Sequence, residues 1–75
     1  MTLSIEEIKR IISLQLGTRD IGDEDRFLED LDAESVDVMN IVVAIEEKYQ
    51  IEIRESEIPN ILTPIDLYGL VKDRI

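Results

Sequence analysis

One hydroxyl stands out in this sequence by its surroundings: Ser35, in the run Asp30-Leu31-Asp32-Ala33-Glu34-Ser35-Val36-Asp37. Upstream of it, Asp20, Asp23, Glu24, Asp25, Glu29 and Asp30 crowd the chain with carboxylates. Such residues suggest four chemistries: a nucleophilic hydroxyl, paired-carboxylate acid–base work, divalent-cation binding, or capping of a helix. The chain contains no histidine and no cysteine. That removes the Ser–His and Cys–His nucleophile pairs, thiolate metal sites and disulfides. Paired carboxylates need a cleft to work in, and 75 residues leave little scaffold for one. An EF-hand counted from Asp23 places Leu28 where glycine is required. Counted from Asp30, it places Ser35 there and Ile41 at the bidentate position, so neither register works. What survives is loose divalent binding by the acidic loop, and two roles for Ser35. The bland role is an N-cap, because a short side-chain oxygen takes up an orphan backbone N–H and Glu34 and Asp37 suit the positive end of the helix dipole. The other is a phosphorylation site, since the acidic surroundings suit an acidophilic kinase.

The element that must position Ser35 is a helix expected over Ser35 to Tyr49, on the order of 20 Å long at the α-helical rise. Val38, Ile41, Val42, Ile45 and Tyr49 form one stripe at i, i+3, i+4, i+7 and i+11, which faces a core. Val36, Met39 and Val43 form a second stripe, with Asn40, Glu46 and Glu47 beside it. This second stripe is either a docking face for a basic partner or the other side of a doubly buried helix.

The same stretch resembles the acyl carrier protein family. The family's pattern is Asp-Leu-Gly-Ala, then Asp-Ser-Leu around its modified serine, then an acid; Asp30-Leu31-Asp32-Ala33-Glu34-Ser35-Val36-Asp37 matches it in place. Ile11-Ile12 with Leu16-Gly17, Phe27 with Asp30-Leu31, Glu46-Glu47 before Tyr49, Ile51-Glu52-Ile53, and Thr63 before a short last helix extend the resemblance over nearly the whole chain. The departures are Asp32 for Gly, Glu34 for Asp, Val36 for Leu, Asn40 for an acid, and Arg54 for Pro.

The resemblance implies that Ser35 is a substrate. A phosphopantetheinyl transferase would attach 4′-phosphopantetheine from coenzyme A to its hydroxyl, and the arm's thiol would hold an acyl group as a thioester. It implies partner recognition by Glu34, Val36, Asp37, Val43, Glu46 and Glu47, with Met39 on the same stripe. It implies that the acyl chain folds between helices into a pocket involving Val42, Ile53, Ile58 and Ile61, whose plain alternative is ordinary core packing. Peptidyl carriers usually have Gly-Gly where this chain has Asp32-Ala33, which favours the acyl type. An aminoacyl or peptidyl carrier, and an acidic helical adaptor in which Ser35 only caps or is phosphorylated, stand as alternatives.

The rest of the chain reads as support for that helix. Ser4 to Leu16 is expected to be helical, with Ser4 and Glu7 as a capping box, Ile5, Ile8, Ile12 and Leu16 on one face, and Gly17 to end it. Lys9 and Arg10 read as solvated. Residues 17–34 form a long connection pinned by Phe27, Leu28 and Leu31. Gln50 to Arg54 reads as extended loop, because a single strand has nothing to pair with. Glu55 to Ile61 reads as a short helix limited by Pro59, with Ile58, Ile61 and Leu62 as its apolar residues. Thr63-Pro64 opens the last helix with Asp66 as box partner, and Pro64, Leu67, Tyr68, Val71 and Ile75 share a face. Gly69 inside it costs up to about 1 kcal/mol for a reason the sequence does not give, close helix approach being one candidate. The expected fold is an all-α, small four-helix bundle of three longer helices and one short one, a single domain over residues 1–75.

Eighteen Asp and Glu against eight Lys and Arg give a net charge of −10. That argues against nucleic-acid binding and for partners with basic patches met through steered, salt-sensitive encounters. At 44% hydrophobic residues with helical spacing, a core can form and disorder is disfavoured. The apolar runs are too short and interrupted to span a membrane, and the N-terminal run has no signal-peptide pattern. A cytoplasmic monomer that is not an enzyme is the expected form.

Overall fold

The protein is described by a computed structural model covering residues 3–75. Its elements are α1 (Ile5–Leu16), α2 (Ser35–Tyr49), a 3-10 helix (Glu55–Asn60) and α3 (Pro64–Lys72), with no strand among the described residues. The all-α bundle expected from periodicity is therefore the observed architecture. Residues 17–34 form the long connection between α1 and α2.

α1 begins where Ser4 accepts a hydrogen bond from the Glu7 N–H at 3.2 Å. It ends at Gly17, whose φ of +68° is the left-handed conformation a helix C-cap requires and glycine adopts without penalty. Only the forward half of the expected box is formed. Glu7 instead reaches across to α2, 3.1 Å from the Lys48 ammonium. That contact holds its carboxyl below the usual range, first through the Lys48 hydrogen bond. Lys9 is not free in solvent: its ammonium lies 2.7 Å from Asp23 and 3.4 Å from Glu6.

α1 is the central partner, packing against both α2 and α3. Ile8 and Ile12 of α1, Ile41, Val42 and Ile45 of α2, and Leu67 and Val71 of α3 are buried together with Phe27. These are the stripes that a 3.6-residue period selects. α3 carries the expected box: Thr63 accepts from the Asp66 N–H at 3.2 Å, and Asp66 accepts from the Thr63 N–H at 3.1 Å. Its face runs from Pro64 to Val71, but Ile75 lies beyond the helix end and is 61% exposed. Gly69 has no close neighbour: a Cβ built there meets nothing within 4 Å. Close helix approach is not the reason for this glycine.

The long connection is ordered by bonds to the far side of the molecule. The Phe27 N–H donates to the Leu62 carbonyl at 3.0 Å, and the Ile65 N–H donates to the Asp23 carbonyl at 3.0 Å. Phe27 is buried and Leu31 half-buried, as expected of anchors. Leu28 is not an anchor; it is 53% exposed. Asp32 has φ +54°, where glycine would be strain-free and aspartate is among the few residues that tolerate the conformation. Its place is the glycine position of the carrier-family pattern.

The link Gln50 to Arg54 is extended, with Ile53 buried. The 3-10 helix after it is short because Pro59, its fifth residue, cannot donate to a preceding carbonyl. Its start is secured by the Glu57 carboxylate, which accepts the Arg54 N–H at 2.9 Å and is paired with the Arg74 guanidinium. Arg74 also donates to the Glu52 carbonyl at 3.0 Å, so the last turn of the chain braces the link.

Candidate functional site

Ser35 is exposed and occupies the first helical position of α2. It is not the N-cap. The N-cap is Glu34, whose extended backbone carries the carbonyl that accepts the Val38 N–H at 3.2 Å. Asp37 completes the start by accepting the Glu34 N–H at 2.9 Å. Capping is thus carried by the two acids that flank Ser35, and the serine hydroxyl is left for other use. At this position its neighbouring backbone N–H groups have no intrahelical acceptor and present partial positive charge.

The helix sorts its apolar residues into two groups. Val36, Met39 and Val43 are 60%, 39% and 47% exposed, while Val38, Ile41, Val42 and Ile45 are buried. The doubly buried reading of α2 is therefore wrong: its second apolar stripe faces outward. Glu34, Asn40 and Glu47 are exposed around it. Glu46 differs, because it is half-buried and its carboxylate accepts the Ile53 N–H at 2.8 Å.

An apolar cavity of about 280 Å³ opens beside Ser35. Phe27, Val38, Met39, Ile58, Pro59 and Ile61 line it, with the exposed Leu28 and Leu62 and the polar Arg26 and Glu29 completing its wall. Of the four residues expected to form an acyl pocket, Ile58 and Ile61 line this cavity. Val42 and Ile53 do not; they are packed in the core. The period placed Val42 on the inner stripe, but the opening lies toward the N-terminal end of α2, near Val38 and Met39. Leu28, Pro59 and Leu62 could not be assigned from periodicity, since none lies on a regular helical face. Among the described residues, no group of three or more acids is gathered for a metal ion.

The loop next to Ser35 is closed on itself. Ala33 donates to the Phe27 carbonyl at 2.9 Å, and Arg26 and Asp30 are joined through both the Arg26 N–H (2.8 Å) and its Nε (3.3 Å). These two contacts, the backbone one first, hold the Asp30 carboxyl below its ordinary range. The result is an exposed hydroxyl on a firm turn, at a helix start, beside an apolar cavity.

Residues 6–71 match the family described as "Phosphopantetheine attachment site". The chain is 37% identical over 71 residues to the acyl carrier protein of Helicobacter hepaticus, spanning 92% of this chain and 93% of that one. It is 35% identical over 69 residues to the acyl carrier protein of Buchnera aphidicola, spanning 89% and 88%.

The chain belongs to the acyl carrier protein family. As a carrier-family domain it holds 4′-phosphopantetheine as a covalent group, and such a carrier interacts with a phosphopantetheinyl transferase and acyl-handling enzymes. The residues of this carrier domain fit the group. The Ser35 hydroxyl is open to an approaching enzyme, a phosphodiester formed there would meet the positive end of α2, and the adjoining cavity is apolar enough for an aliphatic chain. No helix among the described residues is long and apolar enough to cross a membrane.

Proposed function

We propose that Ser35 bears the phosphopantetheine arm and that the protein is an acyl carrier for a biosynthetic system of the fatty acid or polyketide type. The observation that carries this is the placement of Ser35: exposed, relieved of capping by Glu34 and Asp37, and beside the apolar cavity. In the loading step the Ser35 oxygen forms a bond to the pantetheine-bearing phosphorus of coenzyme A. The bond from that phosphorus to the nucleotide breaks, 3′,5′-ADP leaves, and the serine proton passes to the transferase. When bound, the arm supplies a thiol that holds an acyl group as a thioester. The protein acts as the substrate of other enzymes and is not itself one.

The chain's own residues supply three things. The turn from Arg26 to Ala33 and the capped start of α2 hold the attachment point still. Val36, Met39 and Val43, ringed by Glu34, Asp37 and Glu47, form an apolar docking strip with an acidic rim, suited to partners with basic patches. Ile58, Ile61, Phe27, Val38 and Met39 shelter the acyl chain from water. Tethering raises the effective concentration of the cargo at each partner without releasing it. Glu34, Val36 and Asn40, which depart from the family pattern on this docking strip, favour a specialised carrier over the general one of fatty acid synthesis. A monomer working in the cytoplasm fits this role.

The test is the intact mass of the protein before and after incubation with coenzyme A and a broad-specificity phosphopantetheinyl transferase. One phosphopantetheinyl group is gained, and none is gained by Ser35→Ala, which keeps the helical circular dichroism of the parent. Absence of the gain, under conditions that load another carrier, would leave an acidic helical adaptor as the better reading.

A further inference from the structure

The immediate surroundings of Ser35 are rich in negative charge. Glu34 and Asp37 flank it on α2, Glu29 shares the wall of the adjoining cavity, and the whole chain stands at −10. A phosphodiester at Ser35 adds one more anion, and the partial charge of a helix start offsets only part of that repulsion. Among the described residues, Arg26 is the one cationic residue lining the opening next to Ser35. The chain path brings the two together: the Ala33 N–H to Phe27 carbonyl bond, at 2.9 Å, joins the residue after Arg26 to the residue two before Ser35.

The Arg26 guanidinium has two exposed partners on its own turn. One terminal nitrogen, Nη1, lies 2.7 Å from Glu29, and Nε lies 3.3 Å from Asp30. Both partners are exposed acids, so neither pair holds the guanidinium tightly. A planar guanidinium suits a phosphate oxygen better than a point ammonium does. Its side chain is about half exposed, so it has room to turn toward the helix start.

We propose that Arg26 is a positioning residue for the arm: its guanidinium pairs with the phosphodiester on Ser35 and directs the arm across the cavity mouth. The proposal rests on the assignment of Ser35 as the attachment site. The competing role for Arg26 is purely structural, as the staple of the 26–30 turn through Asp30. The two roles separate in a cycle of apo and loaded forms, because a staple stabilises both alike whereas a phosphodiester partner acts only after loading.

The experiment measures Tm for the apo and fully loaded forms of the wild type, Arg26→Gln, Arg26→Lys and Asp30→Asn, with loading verified by intact mass. The expected result is that loading lowers Tm by about 3 °C more in Arg26→Gln than in the wild type. Arg26→Lys restores part of that difference, and Asp30→Asn behaves as the wild type. The ³¹P resonance of the loaded protein moves on Arg26→Gln and stays in place on Asp30→Asn. The same loading shift in the wild type and Arg26→Gln, with an unmoved ³¹P resonance, would overturn the pairing. So would equal changes in Arg26→Gln and Asp30→Asn, which would leave only the staple. If the wild type gains no arm at all, the carrier reading falls and this inference with it; if it loads normally and the cycle is additive, only the role of Arg26 falls.

Discussion

The Glu46 carboxylate, on α2, accepts the backbone N–H of Ile53 at 2.8 Å. An acid that the charge pattern marks as a surface contact is thus also a brace, holding the extended link against the helix that precedes it. Glu47, its neighbour, is exposed and has no such duty. Charge reversal at the two positions therefore separates stability from recognition. Glu46→Lys leaves the Ile53 N–H without its acceptor and costs about 1–2 kcal/mol in urea unfolding. Glu47→Lys changes stability by less than about 0.5 kcal/mol. It slows reaction with the phosphopantetheinyl transferase about threefold at low salt, and the deficit shrinks as salt is added. Equal stability of the two variants would remove the brace; unchanged kinetics for Glu47→Lys would remove the docking role.

Glu57 and Arg74 tie the 3-10 helix to the end of the chain. The guanidinium of Arg74, then the Arg54 N–H, lower the Glu57 pKa to about 2 from an ordinary value of 4.5. A depressed pKa in the folded state means that the stabilisation is fully present above 4.5 and is lost as pH falls toward 2. The wild type is accordingly expected to melt above Glu57→Gln at neutral pH, with the two curves converging between pH 4.5 and 2. A gap between them that persists at pH 2 would show that the pairing is not electrostatic.

Tyr49 ends the inner stripe of α2, and its hydroxyl is buried with no hydrogen-bond partner among the described residues. Burial pushes its pKa up, and the nearby Glu7 charge adds to this. An unsatisfied buried hydroxyl costs free energy that a phenyl ring does not. Tyr49→Phe is expected to raise stability by about 1 kcal/mol in urea unfolding, with unchanged loading at Ser35. Destabilisation by a similar amount would show that the hydroxyl is bonded after all.

Gly69 interrupts α3 with no compensating contact, since a Cβ at that position meets nothing within 4 Å. Its backbone is helical, so alanine fits without strain. Gly69→Ala is expected to gain up to about 1 kcal/mol from the smaller backbone entropy lost on folding, seen as a higher Tm with unchanged circular dichroism. A lower Tm would mean that the space around Gly69 closes on an added methyl group.

The local signals of this sequence were sufficient for its helices. The Ser35 to Tyr49 helix, the Ser4 start, the Gly17 stop and the Thr63–Asp66 box depend on residues three or four apart, and the chain forms them as such spacing requires. The outward stripe of Val36, Met39 and Val43 follows from the same period once the core side is set by Val38, Ile41 and Ile45. The carrier-family pattern around Ser35, read from residue types in order, was equally legible before any packing was known.

Tertiary structure decided what depends on contacts between distant residues. Ser35 ceased to be a cap only when the chain path made Glu34 the last non-helical residue. The cavity keeps the expected Ile58 and Ile61 but has Val38 and Met39 in place of Val42 and Ile53, with loop 17–34 bonded to the Leu62 carbonyl beside it. The second duty of Glu46, the brace from Arg74 to Glu52 and the nearness of Arg26 to Ser35 arise in the same way. Periodicity reports which side of a helix is apolar, because that is a property of neighbouring turns. Which apolar residues are left lining an opening depends on how irregular segments cross those helices, and the backbone hydrogen bonds that determine the crossing carry no side-chain signature.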